Sequence, residues 1–191
     1  DTIRKVGIGE HEPYLATALG SGSTTVEKLT NAYAILANHG RELNSRVIDY
    51  AQDRRGKVIF PRNWRPCDGC NMSDWDGKAM PRFAPSGKQV MDPITAYQVV
   101  HMLEGVVQRG TATRLRDLGL PIFGKTGTTS GPNDVWFVGG TPDVIAGVYL
   151  GFDQPRSMGG YAQGGNMAAP IFRDFALAAL KDRQPIPFVA P

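Results

Sequence analysis

Three short runs of strand-forming residues follow one another between residues 122 and 152 with very little chain between them, and this spacing restricts the fold more than any other feature. Ile122 to Thr128 leads into a turn rich in turn formers, Thr129-Ser130-Gly131-Pro132-Asn133-Asp134. Val135 to Gly139 leads into Thr141-Pro142-Asp143, and Val144 to Phe152 follows. Parallel neighbours need a crossover of about a dozen residues or more, so these strands must pair antiparallel. Helical patterns lie before and after them, which makes the chain an α+β protein: an antiparallel sheet flanked by helices.

The helices are legible from period and caps. In Thr24 to Asn38, Val26, Leu29, Ala32, Tyr33, Leu36 and Ala37 recur at helical spacing, and Asn38-His39-Gly40 supplies a stop. Asp92-Pro93 opens a second helix with Asp as cap and Pro in the first turn. Ile94, Tyr97, Val100, His101, Glu104 and Val107 trace its expected buried face up to Arg109-Gly110. A lone His among such positions reads as packed, because a general base also needs an orienting partner. Ala168-Ala169-Pro170 begins a last amphipathic helix, Ile171 to Leu180.

The region from about Arg41 to Met91 reads as an irregular insertion. Val47 to Tyr50 and Lys57 to Phe60, separated by Gln52-Asp53-Arg54-Arg55-Gly56, predict a hairpin. Pro61 to Pro85 has no period. It holds Cys67 and Cys70, whose C-x-x-C lies among Pro66, Gly69 and Asn71 and reads as a loop, either closed by a small disulfide or carrying two free thiols. A disulfide there would belong in an oxidising compartment. Zinc sites usually need four ligands, and His11, His39 and His101 are not spaced to complete one, so neither a metal nor another cofactor is expected.

Composition sets outer limits. With 191 residues, 41% of them apolar, the chain can bury one real core, and no apolar run reaches the roughly 18 residues of a membrane helix. Lys and Arg exceed Asp and Glu by 21 to 18, an excess too small and dispersed to imply a nucleic-acid partner. The start at Asp1 has no basic or apolar leader pattern and reads as an interior point of a longer protein.

One segment fits two motifs. Gly119 to Thr126 satisfies G-x-x-x-x-G-K-[ST], the phosphate loop of nucleotide hydrolases, and Tyr149 to Asp153 could pass for its magnesium-binding strand. A phosphate loop, however, needs supple backbone running into a helix N-terminus. Here the intervening residues are Leu120, Pro121, Ile122 and Phe123, and the chain after Thr126 cannot begin a helix. The second reading is Lys125-Thr126-Gly127 on a strand: a cation, a glycine permitting close approach, and the hydroxyls of Thr126, Thr128 and Thr129 forming an anion-binding ledge.

Several further strings accompany it. Gly124 to Thr129, then Asp134-x-Trp136-Phe137-Val138-Gly139-x-Thr141-Pro142-Asp143, Gly147 to Asp153, and Gly164-Gly165 with Ala168-Ala169-Pro170-Ile171-Phe172 resemble the C-terminal half of the transpeptidase domain of bifunctional, class A penicillin-binding proteins. Upstream, Tyr14-Leu15-x-x-Ala18-Leu19-Gly20-Ser21 and Asn31-Ala32-Tyr33-Ala34-x-x-Ala37-Asn38-x-Gly40 are similar to the same family.

The resemblance implies a partial transpeptidase fold of the kind shared with serine β-lactamases, in which the K-T-G strand is an edge of a five-stranded antiparallel sheet. It implies serine acyl transfer on the D-Ala-D-Ala end of peptidoglycan stem peptides, with β-lactams trapped as acyl-enzymes. Lys125, Thr126, Gly127 and Thr128 would be the catalytic group. Lys125 would stabilise the proton network beside S-x-N, Thr126 and Thr128 would bind the substrate carboxylate, and the Thr128 backbone N–H would supply one arm of the oxyanion hole. The family's other two signatures are missing: none of Ser21, Ser23, Ser45, Ser73, Ser86, Ser130 and Ser157 has Lys three positions later, and no S-x-N occurs. The expectation is a fragment, inactive alone, whose partner is the N-terminal part of its own domain. That part would carry the nucleophile, and a membrane anchor further upstream would hold the protein on the periplasmic side. Without it, the Thr24 to Asn38 and Ile171 to Leu180 helices should lose partners. A non-catalytic cell-wall binding module of the same fold is the alternative, and a nucleotide hydrolase the remote one.

Overall fold

In chain order the elements are α1 (Thr2–Lys5), a 3-10 turn (Leu15–Leu19), α2 (Val26–Ala37), β1 (Ala51–Gln52), β2 (Val58–Phe60), α3 (Pro93–Arg109), a second 3-10 segment (Thr113–Leu118), β3 (Phe123–Thr128), β4 (Asp134–Gly140), β5 (Ile145–Gly151), a π-helical turn (Gly164–Ala168) and α4 (Ala169–Ala179). The computed structural model describes residues 1–60, 74, 77 and 87–191. Cys67, Cys70 and most of the Pro61 to Pro85 stretch lie outside the described residues. Two units separate, one of Asp1–Leu43 with Lys88–Pro191 and one of Asn44–Gly87.

The larger unit is built on the three-stranded sheet, antiparallel throughout, in the order β3-β4-β5. Its register sets Lys125 opposite Val138, Thr126 opposite Phe137 and Thr128 opposite Val135, while Trp136 faces Tyr149 and Val138 faces Gly147. Because side chains alternate, one face carries Lys125, Gly127, Trp136, Val138, Gly147 and Tyr149, and the other Thr126, Thr128, Val135, Phe137 and Val148. Helix α2 packs over the first face, where Val26 and Thr30 close on Gly147. Helix α4 covers the second: Phe172 meets Phe137 at 4.7 Å between ring centroids, and Val107, Leu115, Ile122, Val135, Ala169 and Ala176 complete that core. Helix α3 packs against β3 and α2.

Local chemistry explains where the helices begin and end. Thr25 accepts the Lys28 N–H at 3.2 Å, and Asp92 Oδ1 accepts both the N–H and the hydroxyl of Thr95, at 2.8 and 2.9 Å. Helix α2 stops where His39 takes a left-handed φ of 52° and the Gly40 N–H turns back to the Ile35 carbonyl. In the smaller unit, Asp53 Oδ1 accepts from the N–H groups of Arg55 and Lys57 and fixes the β1–β2 turn.

Three expectations need correction, and a fourth holds only in part. The first strand of the hairpin is Ala51–Gln52, not Val47 to Tyr50, whose side chains are exposed and so have no buried face to set a register. Helix α3 buries Ala96, Val100, Gly105 and Val107, while Ile94 is 59% exposed. A helix packed on both a strand and another helix buries a wider, rotated stripe than the long side chains alone indicate. His101 is therefore not packed: its ring is exposed, hydrogen-bonded to Glu104 at 3.1 Å and stacked on Tyr97. Finally, the expected loss of partners holds in part: Ile171, Phe175 and Leu177 on α4 are 45%, 45% and 48% exposed, while each helix keeps one buried face within the chain. Ile35, absent from the sequence-derived face of α2, is buried with Ala32 and Val6, and Phe172 and Ala176 form the buried face of α4.

Candidate active site

An open cleft of about 600 Å³ lies between the start of α2, with the loop before it, and the outer end of β3. Ser21 to Thr25 and Tyr33 line one side, Lys125 to Thr129 the other, and the paired rings of Trp136 and Tyr149, 4.7 Å apart, lie beneath. All five residues anticipated for the ledge thus reach one cleft. Lys125 and Thr126 sit within β3, not before a helix, so the phosphate-loop arrangement is not formed.

The strand ladder decides what each backbone group can do. Thr129 and Asp134 stand opposite each other and the Thr129 N–H donates to the Asp134 carbonyl at 3.2 Å, which makes them a hydrogen-bonded pair. Such pairs alternate along an antiparallel ladder, so at Thr128 and Thr126 the N–H and C=O point away from β4. The Lys125 ammonium bears this out by donating to the Thr126 carbonyl at 2.9 Å, on the outer side. Among the described residues β3 pairs only with β4, so this side is a sheet edge.

The hydroxyls divide by role. Thr129 Oγ1 accepts from the N–H groups of Asn133 and Asp134 and closes the β3–β4 turn. Thr126 Oγ1 shares a hydrogen bond of 2.5 Å with Thr111 Oγ1, just beyond α3. Thr128 Oγ1 accepts the Gly164 N–H at 3.1 Å. Gly164 can sit there only as glycine, because a Cβ would run into the Trp136 and Gly127 carbonyls; a Cβ on Gly165 would meet the Thr111 carbonyl. Sequence reasoning had no signal for Thr111: its partner is 15 residues away, and only the neighbouring Gly110 marks the helix end. Asp134 also lines the cleft, with Oδ1 buried and lacking a hydrogen-bond partner among the described residues. Burial pushes the Tyr33 phenol up to about 12.

The site is thus an edge strand bearing Lys-Thr-Gly-Thr, backed by a helix-covered antiparallel sheet. The penicillin binding protein transpeptidase domain matches residues 10–176, and the chain belongs to that family. The motif-based resemblance and the partial transpeptidase fold are therefore borne out. Penicillin-binding protein 1A of Rickettsia bellii is 41% identical over 194 aligned residues, covering 100% of this chain and 24% of its own length. Penicillin-binding protein 1A from Haemophilus influenzae superimposes with a TM-score of 0.79 at 22% identity, over 99% of this chain and 32% of that one. The PonA1 protein from Mycobacterium tuberculosis, solved in complex with penicillin V, gives 0.73 at 20% identity, over 97% and 50%. The chain thus spans about a quarter of the length of the Rickettsia relatives it matches.

Proposed function

We propose that this chain supplies the K-T-G side of the active site of a peptidoglycan D,D-transpeptidase, acting on D-Ala-D-Ala stem peptides and acylated by β-lactams. One observation carries the reading: Lys125, Thr126 and Thr128 line a single cleft on a sheet edge, with the Thr128 N–H directed outward. In the reaction a serine oxygen attacks the penultimate D-Ala carbonyl, the terminal D-Ala leaves as its amine, and an amine of a second stem takes the acyl group. The Thr128 N–H would meet the oxyanion, the Thr126 and Thr128 hydroxyls the terminal carboxylate, and Lys125 the proton network around the nucleophile. Among the described residues no carboxylate pairs with Lys125, which leaves its charge for that task.

The serine comes from the N-terminal part of the same domain, carrying S-x-x-K and S-x-N, and the site faces the periplasm on a membrane-anchored parent. The region from about 41 to 91 is an appendage outside the chemistry. Lys125→Ala in the complete transpeptidase domain should slow acylation by a fluorescent penicillin by about 10²-fold or more, with the melting temperature held. An unchanged acylation rate would remove Lys125 from the site and favour a non-catalytic cell-wall binding module.

A further inference from the structure

Both candidate ligand-binding hydroxyls are held from behind. Thr128 receives a backbone N–H from Gly164, and that oxygen therefore acts as acceptor on its inner side. A hydroxyl has one hydrogen and two lone pairs, so Thr128 keeps its hydrogen for the cleft. Thr126 is in contact with one group at its oxygen, the Thr111 hydroxyl.

We propose that Thr111 is a positioning and specificity-determining residue: it donates its hydroxyl hydrogen to Thr126, so that Thr126, like Thr128, presents O–H outward to a ligand group that only accepts. Two aligned donors next to the Lys125 ammonium select a carboxylate over an amide, whose NH₂ would face donors. The Gly164–Gly165 turn completes the support. It sits against the Gly127 and Trp136 carbonyls and against Thr111 itself, so one glycine pair braces Thr128 directly and Thr126 through Thr111. The inference rests on the cleft reading proposed above and adds to it the origin of the carboxylate preference.

The test uses the complete transpeptidase domain and two probes, a penicillin with its free carboxylate and the same penicillin as its primary carboxamide. Thr111→Val should lower the acylation rate with the carboxylate by roughly threefold to tenfold, the worth of one well-placed hydrogen bond, and lower the carboxamide rate by less, so that the ratio of the two falls. Thr111→Ser should restore the wild-type ratio, and the melting temperature should not move. Thr126→Ala is the reference. If it leaves carboxylate acylation at the wild-type rate, the cleft reading itself fails and takes the inference with it. If Thr126→Ala lowers that rate while Thr111→Val does not, only the role of Thr111 is overturned. Equal losses with both probes, or no rescue by Ser, would reduce Thr111 to a packing residue and overturn the proposal.

Discussion

Tyr33 shows how one side chain records its surroundings. It stands on α2 at the wall of the cleft, with its ring 5.9 Å from that of Phe123, and burial disfavours the phenolate enough to lift its pKa from an ordinary 10 to about 12. The sign follows from linkage. The folded state holds this proton more tightly than the unfolded chain, so the stabilisation is complete below pH 10 and fades as the pH climbs toward 12. A phenolate absorbance titration should contain a component rising near pH 12, and Tyr33→Phe should remove it. If every tyrosine has ionised well before that, Tyr33 is open to solvent. Asp92 works in the opposite direction: its hydrogen bonds to Thr95 hold the carboxyl below its usual range, so the α3 cap is lost only as the pH falls through that lowered value.

Among the elements, the packing of α2 on β5 turns on Gly147. A Cβ there would collide with the Thr30 hydroxyl and press on Val26, so the helix approaches the strand as closely as the missing side chain allows. Gly147→Ala should therefore cost about 1–3 kcal/mol through overpacking, read as a lower denaturant midpoint at unchanged slope. It should also widen the cleft, since Tyr33 travels with α2. Stability equal to wild type would mean the two elements are not in contact in solution. Element boundaries were legible in the sequence where a cap or turn residue acts within five positions, as at Asp92 and the Thr129 to Asp134 turn. Faces were less legible. The side of α3 that is buried depends on where β3 and α2 press against it, and the helical period alone leaves that rotation open.

At the scale of the whole molecule, the question is what these residues can do unaided. The described cleft contains Ser21 and Ser23, neither of which has the Lys neighbour that activates the family nucleophile. Leu15 and Leu19, on the 3-10 turn that leads toward the cleft, are 94% and 92% exposed. We expect the isolated chain to acquire no covalent label from a fluorescent penicillin, and the label to appear on a serine of the N-terminal complement when the two are mixed. Stoichiometric labelling of the isolated chain would reveal a nucleophile of another type and overturn the division of labour proposed here.

The sequence by itself determined the antiparallel order of the three strands, the Asp92 cap of α3 and the presence of Lys125, Thr126 and Thr128 on one strand, because each depends on residues adjacent in the chain. It also carried the family, through motifs whose spacing is set by that strand geometry. Only the tertiary structure decided which hydroxyls face the cleft, what holds them and which side of β3 is open. Thr128 meets Gly164 across 36 residues and Thr126 meets Thr111 across 15, and such contacts exist only once the sheet, α3 and the π-helical turn have packed together. Local propensity fixes backbone conformation over a few residues, whereas the meeting of distant groups is fixed by burying apolar faces against one another.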